Sequence, residues 1–174
     1  MKRRHLLLIG LPGSGKSTIG KLVADLLKAP LIDVDNLLVR QMGMPIAQIF
    51  GKVGEPEFRR MERDAVRAAC AADPVVLVPG GGWAAQAGEL DAVSAETCIV
   101  YLKCQPSTAA KRAEEGEVRP VLTAEDPVAR MRTLLQEREQ YYNLAEHSVV
   151  TDNKAADAVA GEVAQLARQS AGWP

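Results

Sequence analysis

The fold of this chain is decided by the stretch Gly10-Leu11-Pro12-Gly13-Ser14-Gly15-Lys16-Ser17-Thr18. An apolar run, Leu6-Leu7-Leu8-Ile9, precedes this stretch, and a segment with the apolar spacing of a helix follows it. A strand, a glycine-rich turn and a helix in this order form the context in which GxxxxGK[ST] indicates a phosphate-binding loop. Backbone amides and the positive end of the helix dipole attract phosphate there. The sequence therefore predicts a nucleoside triphosphate site, which alone does not identify the reaction.

Two side chains of the loop have predicted tasks of their own. Lys16 can reach the β- and γ-phosphates, and the hydroxyl of Ser17 can ligate Mg²⁺. We expect the nucleotide to contact six consecutive residues of the loop: Gly13, Ser14, Gly15, Lys16, Ser17 and Thr18.

The composition limits the class of protein. The 174 residues suit a single domain over 1–174, with a formal net charge of −1 and no basic stripe that would indicate a nucleic-acid partner. No apolar stretch approaches the roughly 20 residues of a membrane span, so we expect no membrane partner and a cytoplasmic location. The three cysteines, Cys70, Cys98 and Cys104, lack metal-site spacing and are interpreted as reduced thiols.

Predicted strands and helices alternate along the chain, which is typical of an α/β domain with a parallel sheet. The predicted strands are 5–9, 31–33, 75–78, 98–102 and 147–150. The predicted helices are 16–28, 36–42, 45–50, 54–73, 106–112, 125–145 and 155–168. Residues 113–124 are polar and acidic and are interpreted as a mobile loop, and 170–174 as a frayed tail.

The predicted helix over 54–73 has an apolar side that we expect to face the core. Its predicted members are Phe58, Met61, Ala65, Ala68, Ala69 and Ala72.

Two acids follow the second predicted strand, where ligands bind in open α/β sheets. The third strand ends in Val78-Pro79-Gly80 without an acid, so a carboxylate near Mg²⁺ must come from elsewhere. Asp33 is predicted to orient Mg²⁺, through water, and Asp35 to accept a proton from an attacking hydroxyl. The alternative is that one of them only caps the next helix, for which Asp35 is well placed.

An arginine extends an apolar stripe in the helix predicted over 125–145. Met131, Leu134, Leu135 and Arg138 stand at i, i+3, i+4 and i+7, so Arg138 is predicted to point inward. A buried cation needs a buried acid or an anionic ligand, unless the side chain follows the helix edge to solvent.

Further candidates are less specific. Periodicity does not decide which of Arg59, Arg60 and Arg63 faces a site. The triplet 80–82 indicates either a close approach of backbone to ligand or a simple tight turn. Arg119 could bring a cation to the transferred phosphoryl group when the acidic loop closes. His5 and His147, both in strands, are interpreted as structural.

Together these marks resemble the shikimate kinase family along nearly the whole chain. They are the loop at 10–18, the pair Asp33 and Asp35, Phe58-Arg59-Arg60 after Gly54-Glu55, Gly80-Gly81-Gly82, Arg119-Pro120, and Arg138 before a tyrosine pair. The resemblance implies a three-layer P-loop kinase fold with a five-stranded parallel sheet and helices on both faces. It also implies a substrate-binding region near 34–60 and a lid near 113–124.

The same resemblance implies an activity, ATP-dependent phosphorylation of the 3-hydroxyl of shikimate. We expect Mg²⁺ as the metal ion and a monomer as the working unit. Asp35 would bind the shikimate hydroxyls and help to activate one of them. Arg59 and Arg138 would hold the carboxylate, and Gly80, Gly81 and Gly82 would line the other side. Arg112 would stack on adenine, and Arg119 would be the lid arginine.

Two alternatives remain open at this point. Trp83, directly after the glycine triplet, favours a kinase of another small polyol or acid, such as gluconate. The acidic lid, with Glu114, Glu115 and Glu117, favours a nucleotide-binding homologue without catalysis.

Overall fold

The computed structural model describes residues 2–115 and 126–174. Within these residues the strands are β1 (His5–Ile9), β2 (Leu31–Asp33), β3 (Val76–Val78), β4 (Thr97–Lys103) and β5 (His147–Val150). The helices are α1 (Lys16–Leu27), α2 (Val34–Met42), α3 (Ile46–Val53), α4 (Glu55–Cys70), α5 (Glu89–Val93), α6 (Pro106–Glu114), α7 (Pro127–Tyr142) and α8 (Ala156–Ser170).

The strands form one parallel sheet in the order β2-β3-β1-β4-β5. Alternate side chains of β1 enter two separate cores, because successive residues of a strand point to opposite faces. Leu7 and Ile9 join the core that includes residues of α2, α3, α4 and α7, while Leu6 and Leu8 join the core with α1 and α8. The phosphate-binding loop therefore leaves the middle of the sheet at the carboxyl end of its central strand. The predicted α/β class and the five strands are confirmed.

The start of α2 corrects the prediction about the two acids. The helix begins at Val34, and Asp33 is its N-cap, with a carboxylate that accepts a hydrogen bond from the Asn36 amide at 3.2 Å. Asp35 lies two residues further, in the first turn of the helix, and is not the cap. The sequence misplaced this start because both positions carry a residue that caps well.

The buried face of α4 also differs from the prediction. Ala68 and Ala72 are exposed, while Glu62 and Val66 are buried. The inward stripe follows the i, i+4 spacing from Phe58 through Glu62 to Val66. Glu62 lies inside the protein together with Arg59, which donates a hydrogen bond to its carboxylate.

The predicted fraying of 170–174 is wrong. Ala171 and Trp173 are buried, and the indole Nε1 of Trp173 donates to the carbonyl of Arg4 at 3.0 Å. The guanidinium of Arg3 lies 4.8 Å from the centre of the Trp173 ring. The tail is held because it covers the amino end of β1, a tertiary contact that local composition does not reveal.

None of the helices in the described part of the chain combines the length and the apolar character that a membrane crossing requires.

Candidate active site

The phosphate-binding loop connects β1 to α1 and is shaped by residues with positive φ. Gly13 has φ 78°, and a Cβ at this position would collide with the carbonyl of Ala109. Gly15, at φ 95°, caps α1. The ammonium of Lys16 is buried and donates to the carbonyls of Gly10 at 2.9 Å and Leu11 at 2.8 Å. The lysine is thus held against two carbonyls of its own loop.

A cavity of about 440 Å³ lies over the loop and α1. Arg112 of α6 lines this cavity, and its guanidinium donates to the carbonyl of Thr151 at 3.1 Å and to the Thr151 hydroxyl at 3.0 Å. Asp152 fixes the start of α6, where it accepts hydrogen bonds from the Gln105 amide at 3.0 Å and the Thr108 hydroxyl at 2.6 Å. The six predicted loop residues and Arg112 all line this cavity.

A hydroxyl and a carboxylate meet where α1 begins. Ser17 Oγ donates to Asp33 Oδ2 at 2.5 Å, across the carboxyl ends of β1 and β2. Hydroxyl and carboxylate oxygens are ligands that Mg²⁺ favours in nucleotide sites. The donor set therefore fits the predicted ion.

A second, smaller cavity of about 50 Å³ lies on the other side of the loop. It is lined by α2, α3, α4, the segment after β3, and α7. Its polar lining residues are Asp35, Arg59, Glu62, Gly80, Gly81, Gly82 and Arg138. Every predicted acceptor-site residue is therefore brought to one place.

Of the three candidate arginines, Arg59, Arg60 and Arg63, Arg59 is the one that lines this cavity. Arg60 is exposed and pairs with Glu57 and Asp64, while Arg63 lies 3.9 Å from Glu89. Arg59 Nη1 donates to Glu62 Oε2 at 2.6 Å. The structure thus resolves a choice that periodicity left open.

Arg138 is buried as predicted, with a relative exposure of 9%. Its Nη1, like Nε of Arg59, has no hydrogen-bond partner among the described residues. Unpartnered buried donors are rare in proteins and require an explanation. Two guanidinium groups with spare donors at one cavity are suited to an anion, for which Arg is the preferred side chain.

Glu62 is the site residue that the sequence analysis missed. Its side chain is 1% exposed, and burial raises its pKa to about 7, although the charge of Arg59 acts in the opposite direction. Its position could have been found from spacing, because it follows Phe58 by four residues and Arg59 by three.

Each glycine of the triplet makes room for a different neighbour. A Cβ at Gly80 would collide with Oε1 of Glu62 and lie 3.2 Å from Oδ1 of Asp35. A Cβ at Gly81 would lie 3.1 Å from the carbonyl of Gly10, and one at Gly82 would lie 2.7 Å from Cζ of Arg59. The triplet is therefore required by the polar side chains of the cavity and by the phosphate-binding loop.

Gly82→Ala is expected to displace the guanidinium of Arg59 and to lower kcat/KM for the acceptor about tenfold to a hundredfold, since small misplacements of binding groups have effects of this size. Steady-state kinetics measure the loss, and circular dichroism checks the fold. Gly161→Ala in α8 is the matched control, because a Cβ there meets nothing within 4 Å. Equal kinetics for the two variants would contradict this account of Gly82.

The neighbouring aromatic residues have structural positions. The hydroxyl of Tyr142 donates to the carbonyl of Gly81 at 2.8 Å, which joins α7 to the triplet. Trp83 is 1% exposed and lies in the core, not among the residues that line the smaller cavity. His5 is buried, and its Nδ1 accepts a hydrogen bond from the amide of Val75 at 3.2 Å.

The predicted lid lies mostly outside the described residues. Arg119 and Glu117 are in the part of the chain that the structure does not describe. Glu114 and Glu115 are exposed at the end of α6, and Glu115 lines the larger cavity.

Comparison with known proteins shows the family to which the chain belongs. The family model described as shikimate kinase matches residues 12–168. The chain belongs to the shikimate kinase family. A shikimate kinase of Caldanaerobacter subterraneus subsp. tengcongensis is 36% identical over 160 residues, which cover 92% of this chain and 94% of that protein.

Solved structures agree with the family assignment. Shikimate kinase from Acinetobacter baumannii in complex with shikimate has a TM-score of 0.89 at 30% identity, and the match covers 96% of this chain and 94% of that one. A gluconokinase from Sinorhizobium meliloti shares the fold, with a TM-score of 0.68 at 17% identity over 98% and 94% of the two chains. The fold is thus common to several kinases, and only the first likeness bears on the family.

Proposed function

We propose that this chain transfers the γ-phosphoryl group of ATP to the 3-hydroxyl of shikimate. The observation that carries the proposal is the pair Arg59 and Arg138, whose buried and unpartnered donors face one small cavity beside the phosphate-binding loop. Shikimate is a small polyol with one carboxylate, and a pair of guanidinium groups suits that carboxylate. Membership of the shikimate kinase family supports the same acceptor.

The larger cavity is proposed as the ATP site. Gly13, Ser14, Gly15, Lys16, Ser17 and Thr18 would surround the phosphates, and Arg112 would stack on adenine. In the structure Lys16 donates to two loop carbonyls, so it would exchange these contacts for phosphate oxygens. Positive charge at the γ-phosphate stabilises the transition state of phosphoryl transfer.

Ser17 and Asp33 are proposed to hold Mg²⁺, with Asp33 acting through water. When bound, the ion neutralises charge on the β- and γ-phosphates. The hydrogen bond from Ser17 to Asp33 supports this assignment, because it already brings the two oxygen donors together.

The smaller cavity is proposed as the acceptor site. Arg59 and Arg138 would hold the carboxylate, while Asp35 would bind the hydroxyls and accept the proton of the attacking one. Gly80, Gly81 and Gly82 would line the opposite side. Arg119 would close over the transferred group and exclude water. This role is proposed from the sequence, because Arg119 lies outside the described residues.

We propose a monomer as the working unit, because one chain contributes both cavities. A cytoplasmic location, where ATP is available, is part of the same proposal.

A coupled assay of ADP release with ATP and Mg²⁺ tests the proposed acceptor. We expect release that depends on shikimate, and at most slow release with gluconate or without an acceptor. The burial of Trp83 in the core favours shikimate over the alternative polyols, since this residue does not reshape the cavity. Turnover that prefers gluconate would contradict the proposal, and so would tight ATP binding without turnover on any acceptor.

A further inference from the structure

Glu62 occupies the floor of the acceptor cavity, although none of the proposed steps uses it. One carboxylate oxygen, Oε2, accepts the hydrogen bond from Arg59, while the other, Oε1, lies against Gly80. The side chain is almost completely excluded from water. A charge in such a place is stabilised only by its protein neighbours.

The charged groups around Glu62 come from three helices. They are Asp35 of α2, Arg59 of its own helix α4, and Arg138 of α7. The segment after β3 contributes only glycine backbone at this point. Tyr142 of α7 is a neutral neighbour of Arg138, because burial raises the pKa of its hydroxyl.

With Glu62 ionised, the formal charges of this group cancel before any ligand binds, because two carboxylates face two guanidinium groups. The carboxylate of an acceptor bound by Arg59 and Arg138 would add a third anion to the same buried region. An uncompensated charge in a low-dielectric environment is unfavourable, and a titratable group can relieve it by changing its protonation state. Glu62 is suited to do so, because burial has already raised its pKa to about 7.

We propose that Glu62 binds one proton from solvent when the carboxylate of the acceptor enters the cavity. This inference rests on the proposed function, since it concerns the acceptor carboxylate. Protonated Glu62 still accepts a hydrogen bond from Arg59 through its carbonyl oxygen, so the guanidinium stays in place while its positive charge becomes available to the ligand.

The consequence is an acceptor affinity that depends on pH although the acceptor itself does not titrate. A carboxylic acid of ordinary pKa is fully ionised above pH 6. Shikimate binding is therefore expected to weaken as pH rises above about 7, by up to about tenfold per pH unit, because the bound state holds more protons than the free state.

Calorimetric titration with shikimate, without nucleotide, measures this proton directly. At pH 7.5, in buffers of different ionisation enthalpy, wild-type protein is expected to take up about three quarters of a proton per shikimate bound. Glu62→Gln is expected to take up none and to bind with an affinity that stays flat between pH 6 and 9. Above pH 8 this variant should bind shikimate more tightly than wild type, because it carries no competing charge.

Two further variants separate proton uptake from a purely structural role. Glu62→Ala removes the acceptor for Arg59 and is expected to weaken binding at every pH. Asp64→Asn, on an exposed position of the same helix, is expected to keep the proton uptake of wild type.

The inference is overturned if wild type binds shikimate without proton uptake, or if Glu62→Gln retains it. It is also overturned if Glu62→Gln binds more weakly than wild type throughout the pH range. If the glutamine variant does not fold, the buffer series on wild type still shows whether shikimate binding is accompanied by proton uptake. A wild type that does not bind shikimate at all would instead contradict the proposed function.

Discussion

Arg138→Ala is expected to lower kcat/KM for shikimate by about a hundredfold to a thousandfold, the effect usual for one member of a buried charge pair. Arg138 is buried on α7, lines the proposed acceptor cavity, and has an Nη1 without a hydrogen-bond partner among the described residues. Its loss removes half of the proposed anchor for the carboxylate. The effect should fall mainly on KM, because the carboxylate is bound in the ground state as well as in the transition state.

Steady-state kinetics with varied shikimate and saturating ATP measure this effect. Arg132→Ala is the matched control, an exposed arginine on the same helix. Melting curves establish that both variants fold. Kinetics of Arg138→Ala within threefold of the control would contradict the role proposed for Arg138.

Asp35→Asn is expected to lower kcat by about 10² to 10⁴, the usual contribution of a positioned proton acceptor. Asparagine keeps the size and hydrogen-bonding reach of aspartate but does not accept a proton from a hydroxyl. Asp35 lies in the first turn of α2 and faces the cavity near Gly80. We expect KM for shikimate to change much less than kcat.

Single-turnover measurements with preformed complex isolate the transfer step for this variant. Asp64→Asn provides a control for the loss of one carboxylate from the protein. A raised KM with unchanged kcat would assign Asp35 to binding alone and remove the proton-accepting step.

The sequence predicted the parts of this molecule that depend on local pattern. The strand–loop–helix unit around Lys16 is specified by residues adjacent in the chain, so it could be predicted in detail. The inward direction of Arg138 followed from its spacing to Met131 and Leu134. Apolar runs also located the five strands, to within one residue of the observed ends.

The errors concern features that depend on contacts between distant segments. Glu62 is buried because Arg59, Asp35 and Arg138 surround it, and only the folded chain brings α2 and α7 to α4. Trp173 is ordered through Arg3 and Arg4 at the other end of the chain. The choice of Asp33 over Asp35 as cap depends on the exact end of β2, which composition does not fix.

The choice among Arg59, Arg60 and Arg63 also depends on tertiary contacts that the sequence does not reveal. All three lie on one helix within two turns, and each has acidic neighbours along the chain or across it. Which one faces the cavity is decided by how α4 docks against the sheet. The spacing of the three arginines along the chain does not reveal this rotation.

The most direct test of the account compares shikimate with its methyl ester as acceptor, in wild type and in Arg138→Ala. The ester keeps every hydroxyl and replaces the charged carboxylate with a neutral group that is larger by one methyl. The account predicts that wild type loses about a hundredfold in kcat/KM on the ester, and that Arg138→Ala discriminates at least about tenfold less between the two acceptors. Equal use of acid and ester by wild type would contradict the claim that Arg59 and Arg138 together select the substrate by its carboxylate.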